Sequence, residues 1–318
     1  MLRQVIRKLL MVIPLLFLIS VILFVLISML PGDAVLSMIG DSGDIAYIDE
    51  LREQMGLDRP LYQQYLEWIH NLLRGNLGKS IISRQSVADI VRVRLPVTLE
   101  LSLLAIIFSM IIAIPAGILS AVKRNSVWDI ITSFISMFGI AMPPFWIGML
   151  AILFFSLKLN WLPASGYVPF FQDPIANLQS MLMPAFTVGL AFAATIMRQT
   201  RSAFLDVLSQ DFIMTARSKG LKQRIVLWKH ALKNALIPII TVISMQIGRL
   251  IGGSVVTETV FALPGVGREI ADGLLSRDFP VVMTMILITA IFVVLTNTVV
   301  DIIIVFIDPR ISRSTKKN

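Results

Sequence analysis

This 318-residue chain has no cysteine and two histidines, His70 and His230. Without cysteine there is no disulfide, zinc ribbon, iron-sulfur cluster or thiol nucleophile. Neither H-E-x-x-H nor G-x-S-x-G occurs, so the zinc-protease helix and the nucleophile elbow are both missing. Gly78-Lys79-Ser80 looks like the end of a phosphate-binding loop, but Leu73 stands where that loop's first glycine belongs. No catalytic, cofactor-binding or metal-ligating residue is expected in this chain. What remains is charge: basic residues crowded between 201 and 234, and Arg249 set inside an apolar stretch.

The elements that hold these charges follow from composition. Hydrophobic residues make up 56% and charged residues 15%, with net charge +8 and mean hydropathy +0.81. Soluble domains sit near 45–50% and about 25%, so the chain reads as an all-α integral membrane protein. The basic excess points to loops facing anionic lipid instead of nucleic acid, because no basic-aromatic array accompanies it.

Six apolar stretches are long enough to cross a bilayer as helices: 9–30, 97–122, 130–157, 181–200, 235–257 and 281–307. The first follows Arg3, Arg7 and Lys8 as a signal peptide would, but it is too long for one and has no small-x-small cleavage site, so it is expected to be a retained span. The amino terminus, the Lys123-Arg124 turn, segment 201–234 and a tail with Arg310, Arg313, Lys316 and Lys317 all fall on one side. The positive-inside rule makes that side the cytoplasm and places both termini there, in a multi-pass membrane protein. Lys158, Arg268 and Arg277 on the other side are set against Glu258, Glu269, Asp272 and Asp278. Arg84, Arg92 and Arg94 run contrary, in a loop long enough for the rule to lose force.

The chain is thus one transmembrane domain, 1–318, with an outer insert at 31–96 and a cytoplasmic segment at 201–234. Around Leu61 to Ile69 the insert is amphipathic and bounded by Pro60, which predicts short helices on the membrane face. They either cap the outer helix ends or form a docking surface. In 201–234, the run Asp211-Phe212-Ile213-Met214-Thr215-Ala216-Arg217-Ser218-Lys219-Gly220-Leu221 predicts a short helix stopped by glycine, followed by a second amphipathic run to Pro238. A helix-turn-helix of this kind can also be a plain anchor to headgroups.

Within the fifth span, Gln246, Arg249 and Gly253 are spaced three and four apart, which puts them on one helical face. Arg249 either snorkels to the interface or lines a path across the membrane, where it would offer a cation. Gly248 and Gly252 form a G-x-x-x-G pair that favours close helix packing. Pro143 and Pro144 are expected to kink the third span, as a static bend more than a hinge.

Asp211 to Pro238 resembles the coupling loop of permease subunits in ATP-binding-cassette importers: a triplet Thr215-Ala216-Arg217, then Gly220, then the exit His230 to Pro238. The general motif begins Glu-Ala-Ala; Thr-Ala-Arg is similar to the dipeptide, oligopeptide and nickel branch. Further landmarks lie along the chain in the family's order: Leu30-Pro31-Gly32-Asp33, Gly56 to Leu61, Gly75-Asn76-Leu77-Gly78, Leu95 to Leu101, Met142 to Trp146, Glu258 to Arg268, Arg277-Asp278-Phe279-Pro280 and Asp308-Pro309-Arg310.

The resemblance implies the fold of a type I importer permease, of the first-subunit type with a large outer loop. It implies a second homologous permease, two cytoplasmic ATPases that carry ATP and Mg, and an extracytoplasmic binding protein. It also implies roles: Phe212, Ile213 and Ala216 packing into an ATPase groove, Gly220 allowing a close turn, and Arg217 and Lys219 meeting acidic or carbonyl groups, with Asp211, Thr215 and Leu221 in the same element. Di- or oligopeptides are the expected cargo, with nickel, metal chelates or glutathione as alternatives. A secondary transporter would need carboxylates deep in the spans, and only Glu100 and Asp301 approach that.

Overall fold

A computed structural model describes residues 2–29 and 58–307. Leu30-Pro31-Gly32-Asp33, the Gly56-Leu57 pair, Asp308-Pro309-Arg310 and the basic tail lie outside them. The described residues are helical, with one isolated bridge, Lys79 to Ser86. In order, the helices are α1 (Leu2–Ser28), α2 (Leu61–Leu73), α3 (Val87–Val122), α4 (Val127–Ala141), α5 (Pro144–Ala151), α6 (Pro174–Leu208), α7 (Asp211–Ser218), α8 (Leu232–Gly253), α9 (Val255–Val260), α10 (Val266–Leu275) and α11 (Phe279–Ile307). A π-helical turn, Ile152–Lys158, continues α5, and another, Val226–Ala231, leads into α8.

Five spans have the expected length and apolarity, and the expected third is different. Its two halves, Val127–Ala141 and Pro144–Lys158, meet at 101°. Proline pushes the residue before it into extended backbone, and here two prolines follow each other: Met142 has ψ 131° and Pro143 has ψ 131°. A single proline bends a helix; the pair ends one and starts another. The expected kink is therefore a right-angle break.

The second span begins at Val87 instead of 97, with Pro96 inside the helix. Residues 87–96 are an amphipathic extension held by buried Val87 and Ile90 and by an Arg94–Glu269 ion pair at 2.8 Å. The outer insert accordingly ends at Ser86. Likewise α6 continues through Arg201 to Leu208, so the helix-turn-helix starts about two turns later than 201.

Helix α6 is the centre of the bundle, and small residues let its neighbours close on it. A Cβ on Gly117 of α3 would lie 2.7 Å from the Met197 carbonyl oxygen, and one on Gly189 would lie 2.8 Å from that of Ala105. Backbones that approach this closely leave no room for any side chain. Helix α2 lies against α1, where Tyr65 and Trp68 stack around Phe24 and the Tyr65 hydroxyl meets Ser20 at 2.9 Å. The amphipathic helix expected in the insert is present, and its aromatic face covers the first span.

At the end opposite the helix-turn-helix, two buried carboxylates bind the loops together. Glu258 is fully buried and accepts hydrogen bonds from Thr98 (2.8 Å), Ser254 (2.6 Å) and the Arg268 amide (2.8 Å). The Thr98 oxygen accepts in turn from the Val266 amide at 2.8 Å. A Cβ on Gly265 would sit 2.3 Å from the Glu258 carboxyl carbon, so this position must be glycine. Asp278 likewise accepts from the Ser80 hydroxyl and from the Ile81 amide.

Candidate functional site

The basic helix-turn-helix is built on the bundle core. Helix α6 ends at Leu208, Gln210 is extended, and α7 starts at Asp211, whose carboxylate suits the positive end of the helix dipole. Inside α7 the Thr215 hydroxyl donates to the Asp211 carbonyl at 2.9 Å, so it is satisfied locally. The helix stops where Gly220 takes φ +72°, with Gly220 N–H donating to Arg217 O and Leu221 N–H donating to Ala216 O. No atom lies within 4 Å of a Cβ placed on Gly220. Gly220 is needed for the left-handed backbone that makes the close turn, and not for space around it.

Ile213 and Ala216 face inward, against expectation. Both are buried in a cluster with Ala121 of α3, Phe204 and Val207 of α6, Val226, Ala231, and Ala235 and Ile239 of α8. A residue already seated in its own core cannot also fill a partner's groove. The apolar groups that α7 and its successor present outward are Phe212, Met214, Leu221, Ile225 and Trp228. Arg217, Lys219, Arg224 and Lys229 stand exposed among them. A shallow depression of about 510 Å³ lies between Arg224, Ile225, Trp228 and Lys229. Chemically this is an apolar patch within a basic rim, suited to a protein with apolar knobs and acidic or carbonyl groups.

A second feature ties this end together. Arg201, the first of the basic residues between 201 and 234, makes a two-point ion pair with Asp129 of α4 at 2.7 and 2.9 Å. Asp129 is buried and also accepts from the Ser120 hydroxyl (2.5 Å) and the Asn125 amide (2.9 Å). Asp129 is the acid nearest the Lys123-Arg124 turn, which is the signal that could have marked it.

The expected path residues divide. Gln246 is buried, Arg249 is exposed, and the surroundings of Gly253 lie outside the described residues. Gln246 and Arg249 therefore do not share an exposed face. Arg249 lies instead in a groove of about 540 Å³ with Thr241, Ser244, Gly248 and Asn297. A Cβ on Gly248 would be 3.4 Å from Val293 of α11, an ordinary contact distance, and the surroundings of Gly252 lie outside the described residues.

Of the two carboxylates a secondary transporter would need, Glu100 accepts from the Tyr167 hydroxyl at 2.9 Å. Burial first, and then Glu100, push the Tyr167 hydroxyl up to about 12, so it keeps its proton. The Asp301 side chain lies outside the described residues.

The chain matches two family models in tandem. Residues 1–102 match the N-terminal part of a binding-protein-dependent transport system membrane component, and residues 113–313 match the binding-protein-dependent transport system inner membrane component. It is 42% identical over 311 residues to the glutathione transport system permease protein GsiC of Escherichia coli O6:H1, covering 98% of this chain and 99% of that one. Against GsiC of Escherichia coli K12 the identity is 41% over the same length. Among solved structures it is similar to the MetNI methionine ABC transporter in an inward-facing conformation, with TM-score 0.58, 18% identity, and coverage of 69% of this chain and 96% of that one. That likeness establishes the fold. The chain belongs to the inner-membrane permease family of binding-protein-dependent ABC importers, as a multi-pass subunit of the dipeptide- and oligopeptide-permease type.

Proposed function

We propose that the chain forms half of the translocation pore of an ATP-driven importer for small peptides, in a heterodimer with a second, homologous permease. Glutathione is itself a tripeptide, so a glutathione permease at 42% identity supports the peptide class and leaves glutathione as a specific member of it. Nickel or a metal chelate is the alternative cargo for the same kind of importer.

In this reading the basic end faces the cytoplasm, as the positive-inside rule favours, and an ATPase seats on Phe212, Leu221, Ile225 and Trp228 with its acidic groups toward Arg217, Lys219, Arg224 and Lys229. ATP and Mg are held and used by the two ATPases. This chain's part is mechanical. The observation that carries the reading is the shared core of the helix-turn-helix: Ile213, Ala216, Val226 and Ala231 pack with the ends of α3, α6 and α8. Such a cluster is dense and moves as a body, so displacement of α7 by an ATPase displaces those spans. An extracytoplasmic binding protein would deliver cargo at the other end.

The test is uptake of labelled glutathione and of a labelled dipeptide into proteoliposomes holding the whole complex and its binding protein. Uptake of at least one that requires ATP and persists without an ion gradient is the expected result. Uptake driven by a proton or sodium gradient without ATP overturns the reading.

A further inference from the structure

Segment 223–250 departs from the pattern of the other spans. The first span is no more buried within the chain and is far more apolar, and α11 is nearly as little buried and also far more apolar. Helix α6 approaches 223–250 in polarity, but most of it is buried. Part of the polarity of 223–250 belongs to Arg224, Lys229 and Lys233 at the basic end, but Thr241 and Arg249 stand exposed further along α8 as well. A polar surface left open at membrane depth meets water or protein, because unpaired polar groups in hydrocarbon are costly.

The polar groups are also concentrated. They meet in the groove between α8 and α11 lined by Thr241, Ser244, Arg249 and Asn297. The Thr241 hydroxyl already donates to the Ile237 carbonyl at 2.9 Å, and the Ser244 hydroxyl reaches Asn297 Oδ1 at 3.4 Å. Arg249 forms no ion pair among the described residues. The groove therefore has a whole positive charge and an amide donor to offer, and no negative charge among its lining residues. Gly248 adds no side chain to the groove, and a Cβ there would meet Val293 only at ordinary contact distance, 3.4 Å.

We propose that this groove is an anion-accepting stretch of the translocation path, and that its ligand is a carboxylate of a peptide cargo. Arg249 provides the attraction, and Asn297 and Ser244 supply hydrogen bonds to the same group. The proposal rests on the importer reading above. Lipid phosphate is the other source of such an anion, and the test separates the two.

Because the chain has no cysteine, Met245→Cys places a lone thiol in it one turn from Arg249, on the groove. The assembled complex is set in phosphatidylcholine nanodiscs, which carry no net charge and leave both membrane faces open. Modification of this chain by a sulfonate-bearing and by an ammonium-bearing methanethiosulfonate is followed by mass spectrometry. Both reagents are expected to react, and adding Arg249→Gln is expected to lower the sulfonate-to-ammonium rate ratio at least about fivefold. Labelling by neither reagent puts this face in lipid and overturns the proposal, as does an unchanged ratio.

In proteoliposomes, Arg249→Gln should reduce uptake of glutathione several-fold more than uptake of its glycine amide, each corrected for the binding protein's affinity, and Arg249→Lys should restore most of it. An equal loss for both cargoes, or a loss that follows added anionic lipid, assigns Arg249 to packing or to headgroups and contradicts the cargo role. Failure of the wild-type complex to take up either cargo with ATP is a failure of the importer reading, and the thiol result stands apart from it.

Discussion

At the scale of single residues, the acids do more than the sequence suggested. Glu258, Asp278 and Asp129 are each buried, and each accepts hydrogen bonds from parts of the chain far apart in sequence. Their positions lay in plain sight, Glu258 and Thr98 even within separate family landmarks, but nothing local in either stretch says that the two meet. Asp129 ties the broken span to α6, the helix that leads into α7. Replacing Asp129 by Ala leaves the partly buried Arg201, the Ser120 hydroxyl and the Asn125 amide without their acceptor. Removing one partner of a buried pair costs about 3–5 kcal/mol, and the partial exposure of Arg201 brings this nearer 2 kcal/mol. Thermal unfolding of the purified complex should shift down by several degrees, with Asp129→Asn, which keeps a hydrogen-bonding side chain, about half as damaging. An unchanged unfolding temperature in Asp129→Ala would mean the pair carries no stability.

At the scale of elements, five spans and the helix-turn-helix were legible because long apolar runs and a glycine stop are local signals. The direction in which α7 faces was not. Its short sequence has apolar groups on both sides, Ile213 and Ala216 on one and Phe212 and Met214 on the other, so periodicity alone does not choose. The break at Pro143-Pro144 was legible as a disturbance but not as a right angle, which depends on both residues 142 and 143 being extended. Gly220 gives the sharpest test of the element. Its φ of +72° with open space around it means that the cost of substitution is conformational, not steric. Gly220→Asn, which tolerates this backbone, should retain most of the uptake, whereas the β-branched Gly220→Val should lose most of it with the protein still in the membrane. Equal activity in the two variants would show that the turn geometry is not used.

At the scale of the whole molecule, the proposed function makes the chain a transmitter that works through its basic end and through the polar groove between α8 and α11. The spans give the fold its class, and composition alone placed it in the membrane. The groove was only half visible from sequence: helical spacing marked Arg249, but its partner Asn297 comes from another span and Gln246 turned out to face the core. Contacts between distant helices are what sequence periodicity cannot supply. The central claim is that this chain works as the membrane half of an ATP-driven machine, joined to its motor through the patch around Trp228. The most direct measurement is to tag the chain, extract it gently from its native membrane, identify what co-purifies and assay ATPase activity, for the native chain and for Trp228→Ala. The account predicts a second permease and one or two ATPases with the native chain, ATPase activity in that sample, and loss of most of the ATPase but not of the permease with Trp228→Ala. A chain that stays alone and ATPase-silent even after crosslinking would contradict it.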